Sequence, residues 1–284
     1  MLIDVLSLGK KKETIWKLVS RRAGLKAGLS LFTCLLLGLS LQVSNGAAAT
    51  TSALIFQSNF ANLSLAGLTL ELPNRTNNTF VPWSNRYAFK IQLNDTDPNV
   101  YGKKRAELVL KPVAAYGSYT YKFSEYLPAS YVPDRSAESI AQWHEIPDTN
   151  LGESYRVPAF AILTQNGHFW ASGRWDPNAL TPNNDLTGRG AGSYMVDLGT
   201  YKTEQWNNFT VYVKWSYRSD GILEIYNNNK LLFRRLGPNY YNDQSGPYMK
   251  VGVYKWDWTE RPGFSQVHNR TLILDNIRES RGFN

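Results

Sequence analysis

The chain is poor in the residues that usually announce chemistry. It has one cysteine, Cys34, and three histidines among 284 residues, and only 19% of its side chains are charged. Cys34 sits in an N-terminal apolar run, so the remainder of the chain has no thiol for a disulfide, a metal or a nucleophile. His144, His168 and His268 are too scattered for a paired zinc spacing, and His168, in Asn166-Gly167-His168, reads as a turn residue. The longest apolar run, about Leu29 to Val43, is shorter than the roughly 20 residues that span a bilayer as a helix. No amphipathic helix of three turns, internal repeat or charge block is present. A carboxylate pair repeated along one strand face, the signature of a sandwich glycosidase, is missing too; Glu145 and Asp148 are interrupted by Pro147.

What is present is aromatic and basic. Nine Trp, seventeen Tyr and twelve Phe supply a core, and the formal net charge is +8. Five of those charges lie in residues 1–49, leaving +3 for the rest. The leader joins a basic stretch, the apolar run and Ala47-Ala48-Ala49, so an export signal cut after Ala49 is predicted. Ser20-Arg21-Arg22-Ala23-Gly24-Leu25-Lys26 resembles a twin-arginine signal, which implies a bacterial periplasmic or extracellular protein with no stable membrane insertion after cleavage. A small residual charge on an exported chain argues against nucleic acid as partner. A monomer is expected.

Residues 50–284 read as one all-β domain. Phe209, Val211, Val213, Trp215 and Tyr217 alternate with polar residues, and Arg218-Ser219-Asp220-Gly221 turns the chain into Ile222–Tyr226. A second turn, Asn227-Asn228-Asn229-Lys230, leads into Leu231-Leu232-Phe233. Tyr119, Tyr121 and Phe123 mark another strand, and Arg270 to Ile277 a closing one. Alternation separated by such turns predicts a two-sheet antiparallel jelly-roll sandwich with one sheet bent into a groove.

Three strands carry candidate chemistry. In Lys104–Leu110, Ala106, Leu108 and Leu110 face the core while Arg105, Glu107 and Val109 face outward. In Ala141–Glu145, Gln142 and His144 share the outer face, and alternation sends Glu145 away with Trp143. In Tyr248–Trp256, Met249, Val251 and Val253 point inward, leaving Tyr248, Lys250, Gly252, Tyr254 and Trp256 outside. Gly252, between Lys250 and Tyr254, leaves room for a sugar ring.

In this order Arg105-Ala106-Glu107-Leu108, Gln142-Trp143-His144 and Tyr248-Met249-Lys250-Val251-Gly252-Val253-Tyr254 resemble the R-x-E-L, Q-[I/V]-H and Y-F-K-x-G-x-Y strands of the jelly-roll alginate lyases. The Trp of Gln142-Trp143-His144 is similar to heparin lyase I and the glucuronan lyases, as is the stretch from Trp206 to the Tyr226-Asn227-Asn228 turn. Glu145 departs from the heparin-lyase-like pattern, where Gly is usual. The resemblance covers roughly residues 100–278. It implies a concanavalin-like jelly roll and β-elimination on a uronate-containing acidic polysaccharide, with Arg105 and Gln142 neutralising the carboxylate. Tyr254 would then be the acid, or both base and acid where the two groups leave from the same side, its phenol lowered by Arg105 and Lys250 for the base role. His144 and Tyr254 share the base role according to the configuration of the uronate, and Lys250, Tyr248, Trp256 and Lys255 bind substrate.

No cofactor is required for such chemistry. Relatives carry calcium, for which Asp257, Asp275 and Asn276 are the donors the sequence offers. The alternatives are a non-catalytic carbohydrate-binding module, which would keep the aromatics without needing the Arg, Gln, His and Tyr set, and a sandwich glycoside hydrolase. The small charge of the mature chain favours an unsulfated polyuronate.

Overall fold

A computed structural model describes residues 52–181 and 190–283; the predicted export signal at 1–49 lies outside the described residues. The strands, in chain order, are β1 Ala53–Ser58, β2 Thr69–Glu71, β3 Thr79–Trp83, β4 Arg86–Asn94, β5 Arg105–Val109, β6 Ser118–Tyr126, β7 Glu138–His144 and β8 Phe160–Gln165. They continue with β9 His168–Trp175, β10 Gly192–Thr200, β11 Trp206–Lys214, β12 Ile222–Asn227, β13 Lys230–Leu236, β14 Tyr248–Tyr254 and β15 Asn269–Arg281. One sheet runs β13-β12-β11-β6-β15-β4-β3, with β1 on β15; the other runs β10-β9-β8-β7-β14-β5-β2. Every pairing between named strands is antiparallel. The one α-helix among the described residues is a single turn, α1 Asp257–Glu260.

Local sequence explains these elements. The predicted Asn turn joins β12 to β13 with Asn228 and Asn229 at φ 49° and 63°, the left-handed pair that a tight hairpin demands and that Asn tolerates. Phe209, Val211 and Val213 on β11 and Trp215 just beyond it are buried, but the strand ends at Lys214 and Tyr217 leaves the row. His168 opens β9 directly after the Asn166-Gly167 turn, where both residues have positive φ.

The core fills the space between the sheets. Trp143 of β7 is fully buried, stacks on Phe160 with centroids 4.9 Å apart and meets Tyr121 of the opposite sheet edge-on at 5.3 Å. Phe169 of β9 and Phe209 of β11 make a second bridge between sheets at 5.2 Å. Met249, Val251 and Val253 are fully buried, as alternation requires. Burying a large apolar side chain is worth about 1.5–3 kcal/mol, so this interior fixes the register of β7 and β14. Whatever does not point inward on those strands is delivered to the outer face of the seven-stranded sheet.

Gly252 has a different function from the one its spacing implied. It lies at the irregularity in the β14–β7 ladder between Val251 and Tyr254, with φ at 141°. An added Cβ would collide with the carbonyl oxygen of Ala106 on β5. The glycine therefore admits a neighbouring backbone, not a sugar. Gly252→Ala is expected to destabilise the fold by about 1–3 kcal/mol and to shift Tyr254. Thermal unfolding and specific activity, measured together, check both effects.

Candidate active site

Strand register assembles the site. On the outer face Lys250 stands opposite both Gln142 and Val109, Tyr248 opposite His144, Tyr254 opposite Arg105, and Glu107 opposite both Gly252 and Glu71. Arg105, Gln142, His144, Tyr155, Tyr254 and Glu260 line one recess of about 220 Å³. It adjoins a cleft of about 460 Å³ that runs from Tyr254 and Trp256 past Gln142 and Ala161 to Arg174 and Met195. His144 and Tyr254 are about five residues apart along the ladder, roughly 16 Å at the backbone. Both side chains line the recess, and Gln142 lies between their positions in the ladder.

The predicted cations are present but already engaged. Lys250 is 3% exposed and its Nζ lies 2.8 and 2.7 Å from the two carboxylate oxygens of Glu71. Arg105 donates from Nη1 to Glu71 at 3.0 Å and stands 3.6 Å from Glu107. Two cations thus face two carboxylates, and the floor of the recess is close to neutral. The Arg105 guanidinium stays charged: burial opposes its charge, but Glu107 and Glu71 outweigh that opposition. Its Nε–H is buried without an acceptor among the described residues. Gln142 donates to Glu107 at 2.5 Å and keeps a second amide N–H. Burial raises the Glu107 carboxyl above its ordinary range against the opposing pull of Lys250 and Arg105.

Tyr254 corrects an expectation. Its phenol is raised to about 12, because burial outweighs the Arg105 guanidinium that lies 4.6 Å above its ring. Lys250, which was to help lower it, is committed to Glu71. A phenol in this state holds its proton at neutral pH and is suited to give it, not to take one.

Glu145 corrects another. β7 ends at His144, so alternation stops there, and the buried Glu145 carboxylate turns back to lie 2.8 Å from His144 Nδ1. That approach is angled rather than a straight hydrogen bond, since Oε2 has no bonded partner by geometry. Glu145 Oε1 accepts the backbone N–H of Arg156 at 2.8 Å. With Nδ1 occupied on this side, Nε2 is the ring nitrogen left for chemistry. The His144 ring also stacks on Tyr248, centroids 5.7 Å apart.

Lys255 does not reach the cleft. It is fully buried, 2.8 Å from Asp134, paired with Glu138, and donates to the Ser136 carbonyl at 2.9 Å. It follows Tyr254 by one residue, and a period of two sends it inward. Trp256 lines the cleft beside Tyr254, ring centroids 5.7 Å apart, and Tyr248 borders His144. Of the residues named for calcium, Asp257 is held by Arg261 and Ser136, and Asp275 by Arg86 and the Asn276 N–H. Asp148, Glu153 and Asp243 do converge within 4.8 Å, but Arg156 supplies their cation, 2.8 Å from both Glu153 and Asp243.

Three site residues escaped the sequence reading. Glu107 was visible on the outer face, but nothing showed that it would neutralise Arg105. Glu71 is 34 residues before Arg105 and belongs to no motif. Arg174, at the far end of the cleft, sits in an unremarkable strand.

The protein is thus an open antiparallel sandwich with Arg105, Gln142, His144 and Tyr254 lining one outer recess. The chain belongs to the polysaccharide lyase family, whose model matches residues 72–278. Its structure is similar to that of endo-β-1,4-glucuronan lyase from the fungus Trichoderma reesei, with a TM-score of 0.58, 17% identity, and coverage of 81% of this chain and 92% of that one. It is also similar to the family 7 alginate lyase A1-II′ solved with a product, at a TM-score of 0.50 and 13% identity over 77% of this chain and 96% of that one. A comparison with curated protein sequences returns no match. The protein is a polysaccharide lyase with a β-jelly-roll fold.

Proposed function

We propose that the enzyme cleaves an unsulfated uronate polymer by β-elimination. The observation that carries this reading is the recess in which His144, Gln142, Arg105 and Tyr254 meet, with Tyr254 held protonated. A C5 proton next to an ionised carboxylate is too weakly acidic to be removed. The Arg105 guanidinium and the second amide N–H of Gln142 would bind that carboxylate, so that charge can spread into it as the proton leaves. His144 takes the proton through Nε2. Tyr254 protonates the C4 oxygen of the departing sugar, leaving an unsaturated uronate at the new end. Base and acid at opposite ends of the recess suit uronates whose C5 proton and C4 oxygen lie on opposite faces of the ring. Elimination from a single face would require Tyr254 to lose its proton first, which its burial opposes.

The near-neutral floor supports the choice of an unsulfated polymer, because sulfates would call for unpaired cations around the reacting ring. With residues 1–49 read as an export signal, the reaction takes place outside the cytoplasm. The test is a panel of alginate fractions of each epimer, glucuronan, heparin and heparan sulfate, followed by the ultraviolet absorbance of the unsaturated product. Absorbance rising with an unsulfated polyuronate is expected. A flat trace across the panel, with new reducing ends or none, would defeat the proposal.

A further inference from the structure

We propose that Arg174 forms a second carboxylate-binding subsite, which reads the uronate next to the one that reacts. This rests on the elimination reading above and adds the recognition of a neighbouring sugar.

The charge inventory of the cleft points to it. Arg105 and Lys250 face Glu71, Arg261 forks onto Asp257, and Arg156 lies within its own buried acids. Arg174 also lines the cleft, half-buried, yet its guanidinium has no hydrogen bond or ion pair among the described residues. The nearby Tyr241 hydroxyl is directed elsewhere, donating to the Val157 carbonyl at 3.1 Å. A half-buried arginine loses hydration without return unless an anion arrives, and its planar fork matches a carboxylate.

Register places it usefully. Trp143 pairs with Phe160 and Phe160 with Gly173, and the Arg174 N–H donates to the Ala159 carbonyl. His144, Ala159 and Arg174 therefore form one row across β7, β8 and β9. Two strand spacings separate the ends of that row, roughly 10 Å at the backbone, a gap that the long arginine side chain shortens. Ala159 itself is buried, Val157 and Pro158 line the cleft along this stretch, and Ala161 lines it beside Gln142. A sugar chain with its reacting ring over Gln142 would thus lay a flanking carboxylate toward Arg174.

Steady-state kinetics on the polyuronate that the wild type cleaves fastest provide the test. Arg174→Met is expected to raise KM by roughly 10-fold or more, the loss of one charge-assisted interaction, with kcat within about 3-fold. Arg174→Lys, which keeps the charge but loses the fork, should fall between the two, and it carries the test alone if Arg174→Met does not fold. Calorimetry of Tyr254→Phe with an oligouronate and with its carboxyl-reduced counterpart adds a binding readout. The reduced oligomer should bind more weakly to Tyr254→Phe, and the difference should shrink when Arg174→Met is added. An unchanged KM in both Arg174 variants of an active enzyme would overturn the subsite alone. A wild type inert toward every polyuronate would instead defeat the elimination reading.

Discussion

Replacing Tyr254 by phenylalanine is expected to lower kcat by roughly 10²–10⁴-fold, the usual contribution of a positioned acid, while KM and the thermal transition stay near wild type. The hydroxyl makes no hydrogen bond among the described residues: Tyr254 meets Arg105 and Trp256 through its ring, which phenylalanine retains. Because the phenol is raised to about 12, it remains protonated across the neutral range. Any alkaline fall in kcat/KM below about pH 10 should therefore persist in the residual activity of the variant. Full eliminating activity in Tyr254→Phe would remove the acid from this mechanism and require another donor to the leaving oxygen. Rate measurements at saturating polymer, with circular dichroism to confirm folding, decide the matter.

Lys255→Met should instead cost stability, about 3–5 kcal/mol by denaturant unfolding, with kcat per folded molecule preserved. The ammonium is enclosed by Asp134 and Glu138, and Arg270 lies 2.8 Å from Glu138 within the same buried network. Removing one cation leaves carboxylates buried without sufficient compensation. Burial alone would raise Asp134, but hydrogen bonds from Lys255, Ser265 and the Gln266 N–H hold it down to about 2. A depressed acid contributes stability that is present above its unfolded value near 4 and lost as pH falls toward 2. In the variant Asp134 moves back up, so acid unfolding should begin at a higher pH. A variant as stable as wild type but with a raised KM would return Lys255 to the cleft.

Much of this enzyme was legible in its strands. The period-two patterns of Arg105–Leu110, Gln142–His144 and Tyr248–Tyr254 correctly separated core from outer face, because a sheet buried on one side leaves each register only one workable arrangement. The Asn228-Asn229 turn was readable for a similar local reason. Alternation failed where β7 stops: Glu145, one residue beyond it, turns back onto His144. Lys255, one beyond β14, keeps to the alternation and enters the buried acid network, against its assignment to substrate.

By itself, the amino-acid order determined the sandwich, the order of the three motifs and the four side chains that meet in the recess. The sandwich follows from local periodicity and turn chemistry, which operate over a few residues; the four side chains were singled out by the resemblance of their motifs to the jelly-roll lyases. The tertiary structure alone decided their electrostatic state. Glu71 reaches Arg105 and Lys250 only through the packing of distant strands, while Glu107 meets Arg105 along β5 itself, and burial, a property of the whole fold, is what keeps the Tyr254 proton in place. The same long-range register leaves the Arg174 guanidinium in the cleft without a partner among the described residues, and no nearby sequence could have shown it.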